Sequence, residues 1–226
     1  MKFAFLSVLL ISQAALAAAV DNEEVVVIKK PAVVEDSSEF HRMGKEWQAT
    51  AQLLGMGAAP TGSTGVSIGK FINRNQLILL DFMNGSGSGK FFWVSEYEVK
   101  TNSVGAYFKH YTGNSFYYRA GLDYNRTEYK HTYRSTYNSD WNSNASFDGQ
   151  SLNVGFAIGN QWQWENFTLG CDWVGVSVPV SSQISNESLN SGSLSLFDRK
   201  DLEDDEDLYV RNGHAQLLRF YLGASF

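Results

Sequence analysis

The chain has 226 residues, with 18 basic and 24 acidic side chains and a net charge of −6. That length favours one domain, and without a basic stripe to neutralise phosphates, nucleic acid is excluded as a partner. A single cysteine excludes an internal disulfide, while 14% aromatics, 20 glycines and only 3 prolines suit strands joined by turns.

Met1-Lys2, an apolar run from Phe3 to Ile11 and the small residues Ala15-Leu-Ala17 have the layout of a secretory signal peptide, assigned to residues 1–19. The run is too short for a spanning helix, and no later segment reads as one. Residues 20–45 are expected to form a poorly ordered tail, because charges and Pro31 interrupt their short apolar runs. From residue 46 onward eight strand-like blocks follow, at about 46–57, 64–72, 76–84, 91–111, 115–129, 150–164, 167–180 and 213–226. The second, fourth and sixth connections, Asn73-Arg-Asn75, Thr112-Gly-Asn114 and Glu165-Asn166, are tight turns. The fifth and seventh connections are long, so short turns fall at one end of the sheet and long loops at the other.

Period-2 alternation supports strands. In the fifth block Phe116, Tyr118, Ala120, Leu122 and Tyr124 alternate with Tyr117, Arg119, Gly121, Asp123 and Asn125. In the eighth, Leu218, Phe220, Leu222, Ala224 and Phe226 alternate with Arg219, Tyr221, Gly223 and Ser225. One apolar and one polar face, each about ten residues long, fit lipid outside and a polar lumen inside. A soluble sandwich or lipocalin-like barrel would turn the apolar faces inward. Aromatics at strand ends, such as Trp162, Trp164, Phe167 and Trp173, favour the membrane. The third and fourth blocks are less clean: Leu77 and Leu79 share a face with Asp81, and Phe92 and Val94 with Glu96 and Glu98.

The closing segment, with Phe220, Leu222, Gly223 and the terminal Phe226, resembles the strand that barrel-assembly machinery reads. Together with eight blocks and asymmetric turns, it makes the chain similar to the small eight-stranded outer-membrane proteins of the OmpX and OmpA barrel kind. The resemblance implies an all-β, eight-stranded antiparallel up-and-down transmembrane barrel over residues 46–226. It also implies a bacterial outer-membrane location, a periplasmic tail at 20–45, and outer-membrane lipid and the assembly machinery as partners.

With the strands phased this way, Glu46, Lys109, Arg119, Asp123, Asp172 and Arg219 are expected to form a lumenal charge network. Eight strands leave room for side chains rather than a wide channel, which favours a packed plug over a narrow ion path. Cys171 is expected to face lipid beside Phe167, Leu169 and Trp173. No metal or cofactor site is expected, since His41, His110, His131 and His214 lack ligand spacing. Enzymes among small barrels gather a Ser, a His and a carboxylate at the outer rim. His131 has Ser135 and Glu128 near it in sequence, but His131-Thr-Tyr133 lacks a serine two positions on, so the chain is not expected to be an enzyme. Residues 198–207 carry seven acids and read as a solvated loop. Tyr129, Tyr133, Tyr137 and Trp141 form either an exposed adhesive surface or an interfacial aromatic band. The favoured function is a structural or surface-interaction role, with an extracellular partner met through residues 126–149 and 181–212. A narrow, porin-like conduit and a lipid-modifying enzyme are the alternatives.

Overall fold

The computed structural model describes residues 36–56, 63–91, 95–133, 143–190 and 199–226. The signal-peptide reading, most of the tail, Ser135, Tyr137 and Trp141 lie outside the described residues. Eight strands form a closed antiparallel barrel in sequence order. They are β1 (Trp47–Met56), β2 (Ser63–Asn73), β3 (Gln76–Phe91), β4 (Ser95–Tyr111), β5 (Phe116–Tyr133), β6 (Ser143–Trp164), β7 (Phe167–Asn190) and β8 (His214–Ser225). Closure is made by β1 against β8, with Gln48 opposite Ser225 and Ala51 opposite Leu222. No described helix is long and apolar enough to cross a membrane.

Alternation sorts the side chains as a membrane barrel requires. Ile78, Leu80, Phe82, Val104, Leu122, Tyr124, Val154, Phe156, Val176 and Phe220 point outward and are exposed. Their neighbours at odd offsets point inward and are buried or half-buried, which leaves an apolar belt around a polar interior. One edge of the belt is drawn by register. Phe82, Val104, Tyr124 and Leu152 lie side by side on β3 to β6, and the next outward row is Asn84, Asn102, Arg126 and Gln150. Beyond that row β3 to β7 continue for a further stretch, whereas β1, β2 and β8 stop near it. Among the described residues the wall is therefore high on one side and low on the other.

Several boundaries differ from the sequence reading. Gly85-Ser-Gly-Ser-Gly89 is not a turn but part of β3, paired with Val99 to Thr101 and their neighbours. Strand β4 runs through Lys100-Thr-Asn102, and β5, β6 and β7 extend to Tyr133, Ser143 and Asn190. These extensions project past the apolar belt, so they lack the amphipathic alternation that would have marked them. Leu77 and Leu79 face inward, packed with Phe71, Tyr111, Tyr117 and Tyr221 in an apolar layer at the end with the tight turns.

Part of the expected tail is ordered. Ser37 caps the one-turn helix α1 (Ser38–His41) by accepting from the Phe40 amide. The next residue, Arg42, is almost wholly buried. Its guanidinium donates to the carbonyls of Arg74, Gly113 and Asn114 and lies 4.0 Å from the centre of the Tyr111 ring. The short-turn end of the barrel is thus stoppered by the residues leading into β1.

A second departure is the acidic run at 198–207. Rather than a solvated loop, it contains helix α2 (Arg199–Glu206), continued by a π-helical turn over Asp207–Arg211. Leu202 and Val210 are buried against Val99, Tyr129, Ala145 and Phe147 on the inner wall of the tall side. Burial of these two side chains outweighs the solvation preference of the acids, which lie mostly on the opposite face. The segment therefore forms a lid inside the high rim.

Candidate functional site

The interior is built in layers. Nearest the stopper, the Lys109 ammonium donates to Gln161 Oε1 (3.2 Å) and the Tyr221 hydroxyl (3.0 Å). It also lies 4.1 Å from the centre of the Tyr117 ring. The ionic centre comes next, with β3, β5, β7 and β8 each contributing one charged residue. Arg119 donates to Asp81 (2.7 Å) and Asp172 (3.0 Å). Arg219 donates to the same two carboxylates, at 2.9 and 2.6 Å. Tyr117 donates its hydroxyl to Asp172. All four charged residues are buried. Pairing of each cation with both anions is what makes such burial tolerable in a low-dielectric interior.

Of the six residues expected in this network, the structure brings Arg119, Asp172 and Arg219 together, with Lys109 in the layer below. Asp123 faces inward but belongs to a separate group, bonded to Tyr107 (3.1 Å), Asn153 (2.8 Å) and Ser177 (3.1 Å). Glu46 precedes β1 and is exposed, so it takes no part. The second carboxylate of the centre is Asp81 instead. Its only sequence signal was a carboxylate sharing the face of Leu77 and Leu79.

Above the ionic centre lies a cavity of about 90 Å³, lined in part by Tyr107, Arg119, Asp123, Ser177, His214 and Gln216. That is well short of the roughly 300–1,000 Å³ typical of small-molecule sites. The lid docks on the inner wall further toward the high rim. A Val210 methyl carbon sits 2.3 Å from where a Cβ on Gly149 would be, so glycine is required for the lid to dock that closely. The lid's acids also feel burial, which raises the Asp205 and Glu206 carboxyls above the usual carboxylate range. Arg211 ties Glu206 in place at 2.6 Å.

At the top of the lid, β4, β5 and α2 meet. Ser95 Oγ lies 2.5 Å from His131 Nε2, and the Tyr129 hydroxyl is 3.3 Å from His131 Nδ1. Tyr129 donates to Asp205 Oδ2 at 2.5 Å. Burial holds His131 below the usual imidazole range, opposed by the charges of Asp205 and Asp201. Glu128, which the sequence placed near His131, is not at this site; it pairs with Arg126 (3.5 Å). Ser95 is 36 residues away from His131 in sequence and is brought close by β4–β5 register, which sets it beside the Tyr97–His131 pair. No local spacing could have revealed it.

Cys171 alternates with the inward Asp172 and so takes the outer side of β7, but it is only 7% exposed and donates weakly to the Asp172 carbonyl. Of the C-terminal residues, Phe220, Leu222 and Phe226 are exposed on the outer face, and Gly223 pairs with Thr50. Among the described residues no cluster of His, Cys, Asp and Glu has the makings of a metal site.

A protein-family profile described as the autotransporter β-domain matches residues 60–171. The chain is similar to the crystal structure of Acinetobacter baumannii CarO, at 14% identity over 79% of this chain and 96% of that one, with a TM-score of 0.44. It is also similar to Ail, the attachment invasion locus protein of Yersinia pestis, crystallised with the heparin analogue sucrose octasulfate. That match has 12% identity over 81% of this chain and all of that one, with a TM-score of 0.45. The translocator domain of the autotransporter NalP from Neisseria meningitidis matches at 11% identity over 81% of this chain and 89% of that one, with a TM-score of 0.43. No curated protein matches the sequence.

Proposed function

We propose that this chain, a small eight-stranded β-barrel of the bacterial outer membrane, acts through its external rim as a structural and surface-interaction protein. The observation that carries this reading is the contrast between the two parts of the barrel. The belt region is filled by Arg42, Lys109 and the Arg119–Asp81–Arg219–Asp172 centre, all buried. The tall side, by contrast, presents Glu96, Glu98, Lys100, Arg126 and Lys130 outward beyond the belt. Both signs are interspersed there, with Lys100 on Glu98 at 2.8 Å and Arg126 on Glu128 at 3.5 Å. Such a grid suits a polar partner better than an apolar one.

Outer-membrane lipid covers the belt in this reading, and an extracellular partner meets residues 126–149 and 181–212. A narrow conduit is the weaker alternative, because an eight-stranded interior is just wide enough for side chains to fill. Two measurements test the reading. Planar bilayers holding the purified full chain should stay at baseline conductance. Steady single-channel steps would favour the conduit instead. Cells carrying the chain should bind envelope components or soluble glycans that cells with the 126–149 segment trimmed do not. Equal binding by both would remove the rim from the function.

A further inference from the structure

The contacts among Ser95, His131, Tyr129 and Asp205 fix a direction of hydrogen bonding. A tyrosine hydroxyl has one proton, and the carboxylate of Asp205 has none to give, so Tyr129 donates to Asp205. Tyr129 must then accept from His131, which places the imidazole proton on Nδ1. Nε2 therefore carries a lone pair, and the Ser95 hydroxyl, 2.5 Å away, donates to it. A hydroxyl facing a base whose other nitrogen is held by a third group is the arrangement that activates a nucleophile.

We propose that Ser95 is a nucleophile that cleaves short carboxylic esters, with His131 as its general base and Tyr129 and Asp205 as positioning residues. This goes beyond the surface-interaction reading and does not depend on it. The substrate class follows from height. Strand β5 leaves the apolar belt at Tyr124, and His131 is seven positions further on. At 3.3 Å per residue that is roughly 23 Å along the strand, or about 17 Å along the barrel axis for the usual tilt. Acyl esters buried in the bilayer do not reach so far. An ester in the medium, or one carried on a surface sugar, does. Tyr97 stands opposite His131 in register, and Tyr209 lies 5.4 Å from Tyr129, ring to ring, so the flanking walls are aromatic and suit a small acyl group.

In the first step Ser95 Oγ bonds to the ester carbonyl carbon while its proton passes to His131 Nε2. The bond to the alcohol oxygen breaks, and the alcohol leaves with that proton. Water then attacks the acyl-serine with the same base, releasing the carboxylic acid and restoring Ser95. No oxidant, reductant or metal is needed.

The test uses the full chain folded in detergent. A fluorophosphonate probe should label Ser95, as located by peptide mass spectrometry, and p-nitrophenyl butyrate should be hydrolysed. Ser95→Ala should abolish both while keeping the heat-modifiable gel mobility of a folded barrel. His131→Gln should slow labelling on the order of 100-fold or more. Tyr129→Phe keeps the ring and should shift the pH profile of labelling. Among the described residues, the ionisable groups around His131 include Tyr129 and Tyr97 from the strands and Asp201 and Asp205 from α2. A Ser95→Cys chain should be alkylated by iodoacetamide at position 95 faster when folded than when unfolded, which keeps the test decisive if Ser95→Ala misfolds. Labelling that persists in Ser95→Ala, no labelling above the heat-denatured protein, or no gain in alkylation on folding would overturn the proposal. Turnover of phospholipid vesicles in preference to p-nitrophenyl butyrate would overturn the assigned substrate.

Discussion

Asp172 is the residue on which the lumenal electrostatics turn. Arg119, Arg219 and Lys109 are three formal cations around two anions, Asp81 and Asp172. Removing Arg219 therefore evens the count, whereas removing Asp172 leaves three cations around one carboxylate. Asp172→Ala is expected to cost about 3–5 kcal/mol, and Arg219→Ala distinctly less, as read from urea unfolding in lipid or detergent. An equal cost for the two would mean that individual hydrogen bonds, not the charge balance, govern this layer. At this scale the sequence was readable where polarity and strand phase agreed, as at Arg119 and Arg219. It was unreadable at Asp81, because both faces of β3 near the short turns are apolar and alternation cannot then separate lumen from lipid. Arg42 left no trace at all, since its partners are backbone carbonyls of two turns remote in sequence.

The lid is an element held by a few apolar contacts and burdened with acids. Glu206 is buried, and burial raises its carboxyl despite Arg211. A carboxyl raised on folding stabilises docking fully below its ordinary range, about 4.3, and that contribution is lost as pH rises through the raised value. Relative to the base-catalysed intrinsic rate, protection of residues 199–211 from hydrogen exchange should accordingly fall from about pH 4.5 upward, and Glu206→Gln should flatten that fall. His131, lowered by burial, acts in the opposite sense at acid pH, but equally in both proteins, so the comparison isolates Glu206. A Glu206→Gln profile parallel to the parent's would contradict this account. Gly149→Val tests the docking itself: its side chain would occupy the place of Val210, and protease should then cut 199–211 in an otherwise intact barrel. The lid was hidden in the sequence because its acids outnumber Leu202 and Val210. The strands within the belt were legible for the opposite reason, since lipid demands an apolar residue at every second position there.

At the scale of the whole molecule, ring closure places the chain end in the first seam. Phe226 accepts from the amides of Glu46 and Trp47 and donates to the Trp47 carbonyl, all through its backbone. Its ring is 62% exposed and contributes little packing. Phe226→Asp is therefore expected to lower outer-membrane levels in cells several-fold while barely moving unfolding in detergent. This is the outcome for a side chain read by assembly machinery rather than by the folded barrel. Parallel losses in both would assign it a structural role instead. The uneven wall has one more effect. From Val178 to Asn190, β7 pairs with β6 on one flank and with no strand on the other among the described residues. A bare flank of that kind invites a foreign strand. Here Pro179 removes an amide near its start, and Asn186, at a φ of 51°, puts a kink further along. Together the missing amide and the kink make that flank a poor template for a further strand.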